Sequence, residues 1–286
     1  MPAGPFRMPG CGRDRVMRRS AAALERLIHV HEEPVTVRAW PLANAVRIVA
    51  TAPTREAAAD AVERMRFALG VDQDLGPFHR AFKRDALLGP IIRRRPWLRP
   101  RRRPEPFEAL AWAICEQLID GASAAAIERR LVARHGRRSS CGRLLDVPSA
   151  AQLARLAPAQ VEACGLAPRR AITMVKAARE VASGRADLAS HEPAWRRLRA
   201  IPGIGPWTVE CLAFHGQGRD DQLPAGDLAY LKLVGRLARL GRRATEEEVR
   251  RFFEPYAPFA GLAGTYLVYG MATGAFEGRR NWPPRM

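Results

Sequence analysis

Two kinds of hydrophobic spacing divide the chain. In the first quarter, apolar and β-branched residues form two β-rich runs, 35–37 and 45–49, and the residues at 41–44 between them favour a turn. A segment with helical spacing follows, in which Thr54 is expected to cap the N-terminus and Gly70 to end the helix. The positions expected on its buried face are Ala58, Val62, Met65 and Leu69. Strands followed by a helix predict a small α+β domain.

From residue 106 almost to the end, apolar residues recur at helical spacing, and short loops with glycine and proline separate the helical segments. The predicted helices cover residues 107–119, 122–135, 150–156, 169–182, 194–200, 207–215, 228–240, 245–253 and 259–272. No internal repeat of fixed period links them. The pattern therefore predicts a mainly α domain of stacked short helices.

Four regions follow from this pattern and from the positions of proline, glycine and arginine. Residues 1–20 are rich in arginine and broken by proline and glycine, which predicts a disordered basic tail. Residues 21–90 are the expected α+β domain, and residues 91–105 form a basic linker punctuated by proline. Residues 106–286 are the expected helical domain. The linker is equally compatible with a solvated connection and with a segment that lies near phosphate.

Basic residues outnumber acidic residues by a wide margin. The 286-residue chain has 47 Lys and Arg against 29 Asp and Glu, a formal net charge of +18, and 47% of its residues are apolar. The apolar fraction predicts a globular protein rather than a disordered chain. The charge points to a polyanion, and nucleic acid is the first candidate because phosphate contacts dominate such binding. An arginine-rich proteome with many basic surfaces would also explain the charge.

Cysteine usage and hydropathy exclude several classes of protein. The five cysteines are scattered without metal-ligand spacing, which argues against a disulfide framework, a zinc knuckle or a cysteine-ligated iron–sulfur cluster. The first twenty residues lack the apolar stretch of a secretory signal, and no apolar run is long enough to span a bilayer. We therefore expect a cytoplasmic, monomeric protein without membrane contact and without a cofactor.

Residues 198–208 carry the most informative motif. An apolar helix is expected to end at Pro202, after which Gly203 and Gly205 lie one residue apart. Glycines let the backbone turn tightly and approach another molecule closely. Pro206 stands where a second helix would begin, a position that suits proline because its missing N–H has no partner there anyway. Free N–H groups at that helix start favour an anion, and a DNA phosphate fits both the motif and the net charge.

Residues 201–208, IPGIGPWT, resemble the hairpin of the helix-hairpin-helix base-excision DNA glycosylases. In that superfamily a loop rich in glycine and proline and an aspartate follow the hairpin, and here residues 223–227, LPAGD, end in Asp227. Residues 106–118, PFEALAWAICEQL, resemble the early helix of the superfamily with its Gln-Leu element. The resemblance is strongest to the 3-methyladenine DNA glycosylase II family and covers nearly the whole chain after the first twenty residues.

This resemblance implies a fold and an activity. The fold would be mainly α, the helix-hairpin-helix glycosylase fold, with a small N-terminal α+β domain. The activity would be base-excision repair of double-stranded DNA, in which an alkylated purine of the 3-methyladenine type is flipped from the helix and its N-glycosidic bond is hydrolysed. No cofactor is implied, and because no cysteine follows Cys211, the iron–sulfur cluster of endonuclease III-like relatives is not expected.

Asp227 has two interpretations. Aspartate at the start of a helix is an ordinary N-cap, and its chemistry alone favours that role. The resemblance implies the catalytic carboxylate, which would stabilise the positive charge that develops on the sugar and orient or deprotonate the attacking water. The two roles are compatible. Asp220 and Asp221 lie in the preceding loop and are weaker candidates.

Trp207 and Tyr269 are the candidates for the base pocket. A core position is the commonest fate of a tryptophan, whereas the resemblance places Trp207 against the base, where its electron-rich face would attract a cationic alkylpurine. Relatives that also cut the DNA backbone carry a lysine at this position for Schiff-base chemistry. Tryptophan cannot form an imine, so the resemblance implies a glycosylase without lyase activity. Cys211 replaces an aromatic residue of the resembled enzymes, which leaves Tyr269 as the remaining pocket aromatic.

The resemblance also implies a set of DNA contacts. Leu118 would be the wedge that enters the duplex when the base leaves the stack, although composition alone favours a core position for it. Gln117 would lie at the minor-groove face. The hairpin and a second basic helix start would bind DNA through Gly203, Ile204, Gly205, Thr208, Arg169 and Arg170. Hairpin carbonyls in this superfamily, here those of Ile201 and Ile204, can bind a structural monovalent cation.

Two rival functions stay open from the sequence. A non-catalytic helix-hairpin-helix DNA-binding protein would keep the hairpin and the charge but would need no aspartate after the loop, so Asp227 counts against it. A glycosylase for oxidised bases with lyase activity would need a lysine at position 207. A monofunctional glycosylase for deaminated bases satisfies the same motifs as one for alkylated purines.

Overall fold

The computed structural model describes residues 2, 4–12, 14, 16–43 and 45–276, and its N-terminal part is an antiparallel sheet. The strands are β1 (Arg18–Ser20), β2 (Ala23–Val30), β3 (Glu33–Pro41) and β4 (Val46–Thr51), each paired with the next along the chain. The two predicted β-rich runs coincide with parts of β3 and β4. A turn joins these two strands as predicted, and its residue Asn44 lies outside the described residues.

Helix α1 (Arg55–Leu69) packs on this sheet and begins and ends where the sequence predicts. Thr54 caps the helix by accepting a backbone hydrogen bond at 3.2 Å, and Gly70 ends it with a φ of 68°, a left-handed conformation that glycine adopts without strain. Ala58 and Val62 are only partly buried, because the sheet contacts a neighbouring stripe of the helix. The buried residues of α1 are Ala57, Ala61, Met65, Ala68 and Leu69.

Part of the predicted tail belongs to the folded structure. Strand β1 ends it, and Asp14 and Val16 are only 3% and 2% exposed. Val16 packs in a helical core, and Asp14 accepts a hydrogen bond from Arg103 at 2.6 Å. The prediction of disorder is therefore wrong for this part of residues 1–20. The reason is that its partners are distant in sequence, 89 positions away in the case of Arg103.

Beyond α1 the described chain is mainly helical, and each predicted helix is present with ends shifted by a few residues. The helices are α2 (Gly76–Phe82), α3 (Leu88–Arg94), α4 (Pro106–Glu116), α5 (Gly121–His135), α6 (Ala150–Arg155), α7 (Pro158–Glu162), α8 (Pro168–Ala182), α9 (Glu192–Arg199), α10 (Pro206–Cys211), α11 (Leu228–Leu237), α12 (Glu246–Phe253) and α13 (Ala260–Ala272). A π-helical segment, Leu212–Gly216, continues α10, and β5 (Arg137–Arg138) pairs with β6 (Leu145–Asp146). None of the described helices has the length and apolar character needed to cross a bilayer.

The helices form two hydrophobic cores. The first core joins α4 and α5 to α6–α10 and includes Ile201 and Ile204 of the hairpin motif. The second core joins α2 and α3 to α11–α13, so residues 76–94 pack with the C-terminal helices and not with the sheet. Ala225, in the loop before Asp227, is fully buried in the second core. The hairpin and Asp227 are thus contributed by different cores.

A network of buried charges joins the sheet to the helices. Arg26 on β2 contacts Glu108 on α4 at 2.5 Å and Asp146 on β6 at 3.7 Å, and these three side chains are at most 3% exposed. Arg103 of the linker also contacts Glu108, at 3.3 Å. Burial raises the pKa of Asp146, but the hydrogen bond with His29 and the charge of Arg26 outweigh it, so the pKa is lowered. Each charge in this junction is compensated by a partner from another element.

Candidate DNA interface and active site

The hairpin between α9 and α10 has the backbone geometry that its glycines and prolines predict. Gly203 has a φ of 94°, and Gly205 stands at the N-cap with Pro206 as the first helical residue. On α8, Thr173 donates a hydrogen bond to the Pro202 carbonyl at 2.8 Å. A Cβ on Gly203 would lie 2.5 Å from Thr173 Oγ1, so the position needs glycine for space as well as for conformation.

The hairpin exposes backbone while it buries its apolar side chains. Ile204 is 5% exposed and Thr208 is 2% exposed, so their side chains are not available to a ligand. Pro202 and Gly203 are exposed, and Gly205 offers no side chain to cap the first turn of α10. The backbone at Pro202 and Gly203 is therefore accessible to a ligand. The predicted contacts of Ile204 and Thr208 with DNA are consequently limited to their backbone.

Gln117 and Arg170 fix the loop after α4 against the hairpin. The Gln117 amide donates to the Gly203 carbonyl at 2.8 Å and to Thr208 Oγ1 at 2.9 Å. One nitrogen of Arg170 donates to the carbonyls of Cys115 and Gln117, at 2.9 and 2.8 Å. Two side chains that the resemblance assigns to DNA binding thus make hydrogen bonds within the protein. These hydrogen bonds hold the loop after α4 in place against the hairpin.

Leu118 is fully exposed next to the hydrogen bonds of Gln117 and Arg170. Its relative exposure is 103%, and its φ of 56° lies in the left-handed region that branched side chains rarely adopt. The interpretation of Leu118 as a core residue is therefore wrong. An apolar side chain held outward by a strained backbone has a geometry that suits insertion into a partner.

Asp227 caps α11, as its position in the sequence predicts. Its Oδ1 accepts a hydrogen bond from the Ala229 N–H at 2.7 Å, and its own N–H donates to the Pro224 carbonyl at 2.8 Å. Among the described residues, its Oδ2 makes no hydrogen bond. By contrast, Asp220 and Asp221 are engaged by Arg102 and Arg219, each at 2.9 Å. Asp227 is the carboxylate of this loop that keeps an oxygen available.

Trp207 brings the hairpin and Asp227 together. A Cβ built on Gly226 would lie 3.7 Å from Trp207 Cδ1 and 3.8 Å from its Cβ, so the indole lies against the residue that precedes Asp227. Trp207 is half-buried, and its indole N–H is buried without a hydrogen-bond partner in the described part of the chain. On the next turn of the same helix, Cys211 is 5% exposed. The aromatic side chain of Trp207 thus lies beside the loop that carries Asp227, where the two cores meet.

The sequence argument missed one acidic residue of this cluster. Glu116 is the last residue of α4 and is exposed. Neighbouring protein groups partly desolvate its carboxylate and raise its pKa. The charge of Arg103 opposes this shift, and the negative charge of Asp227 adds to it. Burial likewise raises the pKa of the Cys211 thiol, with further contributions from Glu116 and Asp227. The available signal was a second acid, after Glu108, at the end of a mostly apolar helix and directly before the Gln-Leu element.

Two other predicted residues are not brought into this cluster. The Tyr269 hydroxyl accepts a hydrogen bond from Arg95 Nε at 2.9 Å, and the Arg95 guanidinium lies 6.0 Å from the ring centre. These contacts place Tyr269 against the linker, so its assignment to the base pocket gains no support. Arg169 is exposed at the start of α8, where it remains a candidate phosphate ligand.

The hairpin carbonyls are compatible with a monovalent cation. The Ile201 carbonyl oxygen accepts a hydrogen bond from the Ile204 N–H at 3.0 Å and keeps a second lone pair for another ligand. The Ile204 carbonyl oxygen can also offer a lone pair to a cation. Carbonyl oxygens are suitable ligands for a hard cation. No group of three or more histidine, cysteine or acidic residues with metal-site geometry occurs among the described residues.

The site combines a solvent-facing hairpin, a loop fixed to it with an outward apolar side chain, and an aspartate that caps a helix. These features define a helix-hairpin-helix protein suited to binding a nucleic-acid backbone. The sequence pattern of one protein family matches residues 111–258, slightly more than half of the chain. This chain belongs to that family, the HhH-GPD superfamily of base excision DNA repair proteins.

Several relatives in this superfamily carry the name of one activity. The chain is 31% identical over 171 residues to DNA-3-methyladenine glycosylase 1 of Schizosaccharomyces pombe, a match that covers 57% of this chain and 71% of the relative. It is 26% identical over 204 residues to DNA-3-methyladenine glycosylase of Bacillus subtilis, covering 69% and 67%. The structure of a 3-methyladenine DNA-glycosylase from Archaeoglobus fulgidus superposes with a TM-score of 0.77 at 25% identity, covering 89% of each chain.

Proposed function

We propose that this protein is a DNA glycosylase that releases alkylated purines of the 3-methyladenine type from double-stranded DNA and leaves the backbone intact. The observation that carries the proposal is that Trp207, on the helix that follows the exposed hairpin, packs against Gly226, the residue before Asp227. The named activity of the relatives in Schizosaccharomyces pombe and Bacillus subtilis supports the substrate class. The Schizosaccharomyces pombe enzyme has also been solved in complex with abasic DNA, with a TM-score of 0.57 and 28% identity to this chain.

The hairpin and the clamped loop account for DNA binding. Backbone N–H groups at Gly203 and Gly205 hold a phosphate, and Arg169 holds another at the start of α8. Leu118 enters the duplex at the space that the damaged nucleotide leaves. Flipping a nucleotide costs on the order of a few kcal/mol in lost stacking and pairing, and an inserted apolar side chain offsets part of that cost.

The chemistry requires a carboxylate and an aromatic surface. Breaking the bond between C1′ of the sugar and the base nitrogen develops positive charge on the sugar. Asp227 stabilises that charge through its free oxygen and orients the water that attacks C1′. Its hydrogen bond to the Ala229 N–H fixes the other oxygen, so the carboxylate keeps its direction. Trp207 stacks against the cationic base and holds it in place through cation–π attraction.

The residue at position 207 also decides the outcome of the reaction. Strand cleavage by a lyase step requires an amine that forms an imine with the sugar. Tryptophan supplies no such amine, so water is the nucleophile and the product is an abasic site in an uncut strand. We therefore expect strand breaks in the product only after treatment with alkali.

The test is incubation of the purified protein with alkylated duplex DNA, with free bases measured by chromatography. The wild-type protein is expected to release 3-methyladenine. Asp227→Asn is expected to lower the release rate by about 10³-fold or more with little change in DNA affinity. Asp221→Asn, a matched change in the same loop, is expected to retain activity. Release by Asp227→Asn at the wild-type rate, or tight DNA binding by the wild type without any release, would refute the proposal.

A further inference from the structure

Arg250 of α12 joins two carboxylates that belong to different helices. One of its nitrogens, Nη2, donates to Glu246 Oε1 of α12 and to Glu210 Oε1 of α10, at 2.6 Å in both cases. Glu246 lies one turn before Arg250 on the same helix, so the contact with Glu210 is the one that reaches another element. Arg250 thus links α12 to α10.

This link crosses the boundary between the two hydrophobic cores. Val209 and Leu212, which flank Glu210 on α10, pack in the first core. Val249, which precedes Arg250 on α12, is fully buried in the second core. The ion pair therefore connects the helix that follows the hairpin to the core that contributes the loop before α11.

The linked side chains lie around the residue that precedes Asp227. A Cβ built on Gly226 would lie 3.5 Å from Glu246 Oε2 and 3.7 Å from Trp207 Cδ1, so Gly226 lies next to side chains of both α12 and α10. On its other side in sequence, Ala225 is fully buried in the second core. A shift of α12 relative to α10 would therefore displace the peptide that leads to Asp227.

Glu210 depends on Arg250 because its carboxylate is buried. The residue is 9% exposed, and its Oε2 is buried without a hydrogen-bond partner in the described part of the chain. Burial raises the pKa of Glu210, and the Arg250 guanidinium and the N–H of Ala225 oppose this shift only in part. Without the guanidinium, the carboxylate would take up a proton or move towards solvent, and either change would release α12 from α10.

We propose that Arg250 and Glu210 are positioning residues, which hold the Asp227 loop against α10 so that Asp227 and Trp207 face the same nucleotide. The inference rests on the proposed function, in which Asp227 acts at C1′ and Trp207 holds the base. In this role Arg250 and Glu210 act through the loop and not on the reacting atoms. Because Asp227 and Trp207 come from different cores, packing within either core does not set the distance between them, and the ion pair does.

Hydrogen exchange of the protein without DNA, measured by mass spectrometry, tests the link directly. Arg250→Met is expected to speed exchange of the backbone N–H groups of residues 225–231 by about tenfold or more, with no change at residues 201–208 of the hairpin. The Asp227 N–H donates to the Pro224 carbonyl at 2.8 Å, so its exchange reports opening of the loop. Arg251→Met, which removes an exposed ion pair within α12, is the matched control and should change neither segment.

Single-turnover release of 3-methyladenine, with protein in excess over the alkylated duplex, tests the consequence for the reaction. At saturating protein this rate constant does not depend on the folded fraction, so a loss of stability alone would leave it unchanged. Arg250→Met is expected to lower it by about 100-fold with little change in DNA affinity. Arg250→Lys keeps a cation near both carboxylates and should recover most of the rate.

Glu210→Gln provides the same test from the other side of the ion pair. It should lower the rate constant by about tenfold, because the amide still accepts a hydrogen bond from Arg250 but carries no charge. The double variant Glu210→Gln with Arg250→Met should be no slower than Arg250→Met alone, since both changes break one link. This comparison remains valid through Glu210→Gln and Arg250→Lys if Arg250→Met does not fold.

The two proposals fail in different ways. A wild-type protein that releases no 3-methyladenine refutes the proposed function, whereas unchanged exchange at residues 225–231 in Arg250→Met refutes the link itself. The positioning role is also refuted if Arg250→Met keeps the wild-type rate constant or loses DNA affinity instead. Additive losses in the double variant, or an Arg250→Lys protein as slow as Arg250→Met, would refute it as well.

Discussion

Charged side chains gather in two regions of this molecule, and the regions differ in whether those side chains are paired. Between the sheet and the helices, Arg26, Glu108 and Asp146 are almost completely buried, and each is paired. Where the two helical cores meet, the carboxyl group of Glu116 has no hydrogen bond among the described residues, and Asp227 keeps one oxygen free. Both regions gather charges from several elements.

This difference distinguishes charged groups that stabilise the fold from charged groups that are available to a ligand. A buried charge is tolerated only when partners compensate its desolvation, and removing one partner leaves the other uncompensated. Polar groups that stay unpaired beside a cleft are candidates for ligand contact or catalysis. Arg26 and Glu108 therefore belong to the fold, whereas Glu116 and Asp227 are available to a substrate. The predictions below test this distinction.

The largest expected effect is the loss of stability when the paired region is broken. Arg26→Met should lower the free energy of unfolding by about 3–5 kcal/mol, because it leaves Glu108 and Asp146 short of a cation. Arg251→Met removes an exposed partner of the exposed Glu247 in α12 and should cost under about 1 kcal/mol. Urea denaturation measures both. Equal losses would mean that burial does not distinguish the two ion pairs.

Glu128 tests the comparison further, because its carboxyl group is buried and one of its oxygens lacks a hydrogen-bond partner among the described residues. It is 4% exposed, its Oε1 has no hydrogen-bond partner among the described residues, and burial together with the charge of Glu116 raises its pKa to about 8. The folded state then holds this proton more tightly than the unfolded state. Stability should therefore fall as pH rises from 4.5 to about 8, by at most about 1.4 kcal/mol per pH unit.

Glu128→Gln tests that dependence. The variant should be more stable than the wild type at pH 9, and the difference should shrink towards pH 5, because the amide has no proton to lose. Thermal denaturation across this range measures it. A constant difference between the two proteins at all pH values would contradict the assignment.

The third prediction separates a positioning residue from a phosphate ligand. Arg170→Met frees the backbone around Glu116 and Gln117, and we expect the rate of base release to fall by about 100-fold with little change in the salt dependence of DNA binding. Arg169→Met should instead weaken binding and reduce the slope of log affinity against log salt by about one. The opposite pattern would reverse the two roles.

The smallest effect concerns Leu118, which is exposed and therefore adds little to stability. Leu118→Ala should change the free energy of unfolding by under about 0.5 kcal/mol, yet lower the rate of base release by about tenfold because the flipped state loses its apolar support. Leu42→Ala, at a 46% exposed position in the sheet domain, should leave the release rate unchanged. A Leu118→Ala protein with full activity would exclude the wedge.

Features that depend on near neighbours could be predicted from the sequence. The ends of α1 at Thr54 and Gly70, the start of α10 at Pro206 and the cap of α11 at Asp227 are set by backbone preferences of single residues. Helical spacing was enough to predict each long helix. The hairpin could be predicted for the same reason, since its glycines and prolines act within a few positions.

Features that depend on distant partners could not be predicted, because they follow from packing. Strand β2 was not predicted, because it is buried on both faces and its polar residues, among them Arg26 and His29, interrupt the alternation that identifies a strand. Helices α2 and α3 pack in the second core, and the Tyr269 hydroxyl accepts a hydrogen bond from Arg95. The Arg170 side chain binds the backbone carbonyls of Cys115 and Gln117 and thereby fixes the end of α4. Local preferences fix how a segment is built, but only packing fixes which unpaired side chains meet.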